Sequence, residues 1–203
     1  MAEVQNPYSL SDKAIEILND RAFKRFSKVK TSLTGKDFDE LSVIKEIKVL
    51  YEDLAKDNKE IYLELAQEQY KKTYQNGEKP NMAWLLALLA IADPVSKYIY
   101  EKEVPRKMER TTEAINSVGA KVTELNRGLR YWAQMTDHYA DVVTDQSTLK
   151  AYEDQGIKKV KWLTMGDSKV CEICSGRNGK IYPIHSIPPK AHYGCRCWYQ
   201  PAE

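Results

Sequence analysis

The chain has 203 residues, of which 30% are charged and 42% hydrophobic, and its formal net charge is +2. This composition is typical of a folded globular protein rather than of a disordered or membrane protein. The small net charge gives no general reason to expect nucleic acid or an anionic membrane as a partner. Residues 157–203 nevertheless hold eight basic and three acidic side chains, a balance of +5. Either solvated lysines on a small domain or a modest attraction to DNA or an acidic protein face explains this excess.

The start of the chain, MAEVQNPYSLSDKAIEIL, lacks a basic stretch followed by an apolar core, so it predicts no secretory signal. We therefore expect the protein to be made and kept in a cytoplasm. The most apolar stretch, MAWLLALLAIA at residues 82–92, is well under the ~20 residues needed to span a bilayer. It predicts a buried helix, with a membrane-associated segment as the alternative.

Apolar residues at helical spacing predict two long helices in the first part of the chain. The first begins at Ser9 and ends at Thr34-Gly35, and the second runs from near Asp37 to Asn76-Gly77. A break in the second helix near residues 55–60 is an alternative. The predicted apolar faces consist of Ile15, Leu18, Ala22, Phe26, Val29 and Leu33 in the first helix, and of Phe38, Leu41, Ile44, Ile47, Tyr51, Leu54, Ile61 and Leu65 in the second.

Helix-favouring sequence continues as far as Gly156. The apolar helix at residues 82–92 is closed by Asp93-Pro94, because the residue before proline avoids helical geometry. A further helical stretch leads to Pro105, which fits the first turn of the next helix. Beyond it, Gly119 and Gly128 are predicted weak points and Gly156 the end.

After Gly156 the pattern changes to short strands separated by turns. The segments VKWLT, KIYPI and CRCWY are rich in strand-forming residues, and MGDS, SGRNG and HSIPP are typical turns. The sequence thus predicts a mainly α fold with two parts: a helical body at residues 1–156 and an α+β, cysteine-rich C-terminal module at residues 157–203. A module this small gains little stability from hydrophobic burial alone.

All four cysteines and two of the three histidines lie between residues 170 and 197. Cys-x-x-Cys lets one tight turn present two sulfurs to a tetrahedral ion, and HYGCRC supplies three more donors after a loop. Five candidates compete for four positions, so either three cysteines with the histidine or the four cysteines would close a structural zinc site. The candidate ligands are Cys171, Cys174, His192, Cys195 and Cys197.

Two disulfides, or four unrelated buried thiols, are the alternatives to a metal. A catalytic metal has less support, because the His-x-Glu of zinc deaminases is absent and only His185 and Asp167 are convenient bases. His138 is interpreted as a solvated or core-edge residue. We expect Trp162 and Tyr182 to form the core of the C-terminal module.

Residues 151–197 contain an ordered series of motif positions. They are Trp162, Thr164, Asp167, Val170, Cys171, Cys174, Gly179, Lys180, Tyr182, Pro188, Pro189, His192, Cys195, Arg196 and Cys197. With these residues the segment resembles the C-terminal segment of the phage minor head proteins, also called the head morphogenesis or MuF-like family. Two positions depart from the family pattern: Glu172 replaces a frequent proline, and Tyr193-Gly194 replaces a frequent Pro-Asn. Neither change removes a candidate ligand.

The resemblance implies a non-enzymatic minor capsid protein, present in a few copies inside the phage head and associated with the portal and the procapsid interior. It would aid head assembly, DNA packaging or DNA delivery. Its expected partners are the portal protein and other capsid or scaffold proteins, with weak contact to packaged DNA and none to a membrane. It would be located in the virion, and in the host cytoplasm during assembly. Two alternatives remain: a nuclease or toxin-like enzyme using His185, His192, Arg177 or Arg196, and a zinc-ribbon-like DNA-binding module.

Overall fold

Long helices dominate the computed structural model, which describes residues 6–33, 40–74, 79–89, 99–118 and 122–203. A π-helical turn, Ile99–Glu103, leads directly into the fourth α-helix. The predicted mainly α class with a small C-terminal α+β part is confirmed. The helices before the C-terminal module are α1 (Ser9–Leu33), α2 (Glu40–Tyr74), α3 (Met82–Leu89), α4 (Val104–Val118) and α5 (Val122–Asp154).

The chain divides into two compact units. The helical unit comprises Ala14–Leu63 and Ala83–Thr136. The cysteine-bearing unit comprises Met1–Lys13, Glu64–Met82 and Asp137–Glu203. The predicted domain boundary after residue 156 stays a prediction, although helix gives way to strands and loops close to that position.

The first helix begins at Ser9, as predicted. The other predicted limits of the first two helices, Thr34-Gly35, Asp37 and Asn76-Gly77, lie outside the described residues, as does Phe38. α2 runs without a break through residues 55–60. The predicted stripe of α1 is buried from Leu18 to Leu33, whereas in α2 Leu41 is 76% and Ile44 40% exposed. A helical turn takes 3.6 residues, so a step of three residues falls about 60° short of a full turn. Side chains placed by repeated steps of three therefore move away from the buried stripe. Val43, four residues before Ile47, is buried instead.

Several other helix predictions fall partly outside the described residues. The apolar stretch forms α3 as far as Leu89, where Leu85 is fully buried and Met82 half exposed. Residues 90–98, with Asp93-Pro94, and Gly119 lie beyond what the structure describes. Pro105 occupies the first turn of α4, as predicted. Within the described residues, no helix is both long and apolar enough to span a membrane.

Gly128 lies inside the unbroken α5, so the predicted weak point does not interrupt the helix. A Cβ at this position would be 3.1 Å from both Phe26 Cε1 and Thr111 Oγ1. The Thr111 hydroxyl is held by Tyr51, at 2.7 Å, and by the Lys107 carbonyl oxygen, at 2.9 Å. Glycine is therefore required here by close packing.

We expect Gly128→Ala to lower the free energy of unfolding by about 1 kcal/mol. Overpacking against the fixed Thr111 side chain costs roughly 1–3 kcal/mol, and alanine returns at most about 1 kcal/mol of helix propensity. Gly176→Ala is the control, since its Cβ would meet no atom within 4 Å. Urea denaturation of both variants checks this, and equal stability changes would contradict it.

The end of α5 has the geometry that a glycine permits. Gly156 has φ +77°, its N–H donates to the Glu153 carbonyl at 2.8 Å, and the Ile157 N–H donates to the Tyr152 carbonyl at 3.0 Å. This pair of hydrogen bonds is the Schellman motif. Gly156 therefore ends the helix, as predicted, and turns the chain into the first strand.

Three antiparallel strands form the sheet of the C-terminal module, in the order β2-β1-β3. The central strand places Val160 opposite Tyr182 on one side and opposite Pro201 on the other. The predicted strand containing Cys195 and Cys197 is wrong in its limits, because β3 begins only after Cys197. The strands are β1 (Lys159–Leu163), β2 (Ile181–Pro183) and β3 (Trp198–Ala202).

A candidate metal centre in the cysteine-bearing unit

Cys171 and Cys174 are positioned by α6 (Glu172–Arg177), a short helix between β1 and β2. Cys171 is its N-cap, with φ −74° and ψ 162°. The Cys171 sulfur accepts a hydrogen bond from the Cys174 backbone N–H at 3.4 Å, and the Ser175 N–H donates to the Cys171 carbonyl at 2.9 Å. This arrangement turns both sulfurs toward the same place, as Cys-x-x-Cys predicts.

His192 and Cys195 stand at the two ends of a four-residue turn. The Cys195 N–H donates to the His192 carbonyl at 3.3 Å, and Gly194 has φ +71°. A positive φ at the third position is typical of a type II turn and favours glycine. Gly194 thus permits the turn, although it departs from the pattern of the resembling family.

The structure brings all five predicted donors together. Cys171, Cys174 and His192 have donor atoms within 4.8 Å of one another, and so do Cys174, Cys195 and Cys197. A tetrahedral zinc with Zn–S bonds of ~2.3 Å separates its sulfurs by about 3.8 Å. Because Cys174 belongs to both groups, it lies at the centre of the cluster. Each predicted set of four ligands combines donors from both groups, so both sets stay predictions.

The thiols are free and strongly influence one another. The Cys174 and Cys195 sulfurs are 3.4 Å apart, and all four cysteines are unbridged. Burial is the main reason why the pKa values of Cys174 and Cys197 are raised. The pKa of Cys171 is lowered, chiefly by the Cys174 backbone N–H and further by His192. A cation at the cluster would favour the thiolates and offset the cost of burying them.

The His192 ring is oriented by the backbone carbonyl of the next residue, Tyr193. Its Nδ1 lies 3.0 Å from the Tyr193 carbonyl oxygen, which can only accept a hydrogen bond. Nδ1 therefore carries the proton in the neutral ring, and Nε2 keeps its lone pair. Metal-binding histidines commonly use this arrangement, with one ring N–H donated to a carbonyl.

The cluster is packed into the core of the C-terminal module. Trp162 is fully buried and contacts Tyr199 and Tyr182 edge-on, with ring centroids 5.5 and 6.4 Å away. Within the described residues, the buried indole N–H of Trp162 has no hydrogen-bond partner. The Trp162 side chain nevertheless acts to lower the pKa of the Cys197 thiol, whereas burial raises it. A thiolate at Cys197 would provide this N–H with an acceptor.

A buried polar cluster, which the sequence did not suggest, holds the loop that carries the donors. The Tyr8 hydroxyl lies 2.8 Å from the Asp145 carboxylate and 2.7 Å from the Cys197 carbonyl oxygen. Lys190 donates to Tyr8 at 2.6 Å and forms an ion pair with Asp145. We call Tyr8, Asp145 and Lys190, with the Cys197 carbonyl, the Tyr8 cluster. The three partners of Tyr8 are 137 or more positions away from it in the sequence, so no local sequence pattern indicates this cluster.

Burial dominates the electrostatics of the Tyr8 cluster. It raises the pKa of Asp145 to about 6, although Lys190 and the Tyr8 hydroxyl act in the opposite direction. Asp141, which accepts a hydrogen bond from Ser11 at 2.7 Å, raises it slightly further. The pKa of Tyr8 is raised well above its ordinary value, first by burial and then by Asp145. Lys190 therefore stabilises a carboxylate that burial alone would keep protonated.

The other candidate residues do not assemble into a catalytic group among the described residues. The His185 side chain is 75% exposed, and its Nε2 lies 3.8 Å from Glu153. Asp167 accepts a hydrogen bond from the Lys169 N–H, a turn-forming role. Arg177 donates to the Pro189 carbonyl at 2.6 Å. His138 is half-buried and stacks on the Tyr193 ring at 3.9 Å, and Arg196 pairs with Asp12 at 2.9 Å.

Fold and site together define the class of protein. It is mainly helical and has a small C-terminal module in which five sulfur and nitrogen donors are clustered. The family model described as Phage Mu protein F like protein matches residues 93–200. This is more than half of the chain, and the chain belongs to this family of phage head morphogenesis and minor capsid proteins. The matched region contains all five donors. No curated protein and no solved structure matches the chain.

Proposed function

We propose that the protein is a structural, non-enzymatic minor capsid protein that acts in phage head assembly and carries a zinc-stabilised C-terminal module. The observation that carries the proposal is the family match over residues 93–200, which includes the clustered donors. The geometry supports binding rather than catalysis, because the four cysteines pack against buried side chains of a small core.

The residues present fit a structural zinc ion. Cys171, Cys174, His192 and Cys195 are the proposed ligands, with Cys197 as substitute. Bound zinc would supply folding free energy by linking α6 to the loop before β3. Thiolate and imidazole are the donors that zinc prefers, and four of them close its coordination.

The proposed partners are the portal protein and other capsid or scaffold proteins. Support comes from the family and from apolar side chains left exposed on α1 and α2. Phe23 is 60% exposed, Ile17 46% and Val49 49%. Exposed apolar side chains on helices are suited to docking against another protein surface. Contact with packaged DNA is proposed to be weak and to involve the basic C-terminal module.

Head incorporation tests the proposal directly. The chain is coexpressed with the portal, scaffold and major capsid proteins of its phage, and purified procapsids are analysed by quantitative mass spectrometry. We expect a few copies per particle, inside the head, and none when the portal is omitted. Phe23→Asp should reduce incorporation, whereas Ile173→Asp, at an exposed apolar residue of α6, should not.

Two outcomes would count against the proposal in different ways. Equal incorporation without the portal would show that the portal is not the partner. Complete exclusion of the wild-type chain from particles that otherwise assemble would show that it is not a capsid component.

A further inference from the structure

A small cavity in the helical unit, which uses none of the five metal-type donors, is bordered by α4 and α5. Its volume is about 200 Å³. Tyr51, Thr111 and Gly128 form its buried part. The cavity exists partly because position 128 has no side chain, since a Cβ there would be 3.1 Å from Thr111 Oγ1.

Three cationic side chains line the outer part of this cavity. Lys107 and Arg110 are one helical turn apart on α4, and Arg127 lies on α5. Spacing of three or four residues places side chains on the same helical face. The Lys107 ammonium lies 5.0 Å from the centroid of the Tyr131 ring, which also lines the cavity. Both helices thus present cations to one space.

The positive charge of this cavity is only partly neutralised by the described residues. Among them, the one lining carboxylate is Glu124, which pairs with Arg127 at 3.2 Å. Neither Lys107 nor Arg110 forms an ion pair with any residue in the described parts of the chain. The lining side chains therefore keep an excess of two positive charges. Burial, followed by Arg106 and Arg110, outweighs Glu103 and Tyr131 in lowering the pKa of Lys107.

We propose that this cavity binds a phosphate group of a ligand through Lys107, Arg110 and Arg127. A phosphate dianion would balance both excess charges, whereas a carboxylate would balance only one. Guanidinium groups donate paired hydrogen bonds that match phosphate oxygens, and lysine adds a point charge.

The size of the cavity limits how much of the ligand it holds. Pockets that enclose a whole small molecule usually measure about 300–1,000 Å³. The cavity is smaller, so it receives the phosphate group alone and the rest of the ligand lies outside. The phosphate can come from a free phosphate or phosphate monoester, or from the backbone of DNA.

Titration calorimetry of the full chain with inorganic phosphate, at fixed ionic strength, tests the proposal. We expect saturable binding that Lys107→Gln or Arg110→Gln weakens about tenfold or more, the usual effect of losing one charge-assisted hydrogen bond. Arg106→Gln is the matched control. It removes the same charge from α4, but Arg106 pairs with Glu103 at 3.3 Å and does not line the cavity.

Each outcome of these titrations either supports or contradicts the phosphate site. Competition between a short DNA duplex and phosphate would assign the site to the DNA backbone, and phosphate binding without such competition would assign it to a free phosphate or monoester. No saturable phosphate binding, binding insensitive to Arg110→Gln, or an equal loss with Arg106→Gln would overturn the proposal. Because Arg110 is exposed, its variant should fold even if Lys107→Gln does not, and circular dichroism verifies this.

Discussion

Purified, reduced protein is expected to carry about one zinc ion per chain, and Cys174→Ser is expected to lose it. Cys174 is the critical position because its sulfur belongs to both groups of donors. Without zinc, the C-terminal module loses the free energy of metal binding, which is about 10 kcal/mol or more for structural zinc sites. We therefore expect the module to unfold while helical circular dichroism is largely retained. Elemental mass spectrometry and near-ultraviolet circular dichroism measure the two effects.

Further variants identify the four ligands. If His192 is a ligand and Cys197 is not, Cys197→Ala keeps zinc and His192→Asn loses it, and the four-cysteine site predicts the reverse. Ser175→Ala is the control, because this exposed residue of α6 offers no donor. Metal-free protein with four titratable thiols would contradict the zinc site. Before reduction, a mass four hydrogens lower would indicate two disulfides instead.

Lys190→Met should destabilise the protein more at neutral pH than at pH 4. In the folded state the pKa of Asp145 is about 6, above its ordinary value of 3.8, and Lys190 is the main group that holds it down. The folded state thus binds more protons than the unfolded state between these values, so stability falls as pH rises through the window. Removing Lys190 raises the pKa further and extends this loss to pH 7.

The pH-dependent part of the cost of Lys190→Met at pH 7 is at most about 1.4 kcal/mol, because the carboxyl of Asp145 in the variant binds a proton instead of remaining an unpaired buried charge, and one pH unit, from about 6 to 7, corresponds to about 1.4 kcal/mol. At pH 4, Asp145 is largely protonated and needs no cation. Urea denaturation at both pH values measures the difference. Adding Asp145→Asn should restore most of the lost stability, whereas Lys24→Met, in an exposed pair with Asp20, should cost at most about 0.5 kcal/mol. Equal losses at pH 4 and pH 7 would contradict this interpretation.

Local sequence signals located the candidate metal site and most helices. Cys-x-x-Cys acts within four residues, and Gly156 ends α5 through its own positive φ, so both features are legible without knowledge of the fold. The positions of the other donors near Cys174 also depend on local structure: the turn at the start of α6 and the four-residue turn from His192 to Cys195. For this reason the sequence predicted all five donors that the structure brings together.

What the sequence did not reveal depends on contacts between distant residues. Lys190 and Asp145 look like ordinary surface charges, and no local sequence signal shows that they pair with each other and with the buried hydroxyl of Tyr8. Leu41 was assigned to the buried face because spacing alone does not show where the stripe of α2 turns away. Gly128 was judged a weak point because the need for close packing arises from Phe26 and Thr111, which belong to other helices.

The hydrogen bond from Tyr8 to the Cys197 carbonyl also fixes an order of events during synthesis. Tyr8 leaves the ribosome before its partner, which follows 189 positions later. At roughly 5–20 residues per second, about 10–40 s pass before the two can meet. The first turn of α1 must wait for that interval without its buried partners, so the C-terminal module completes the folding of a segment that is synthesised well before it.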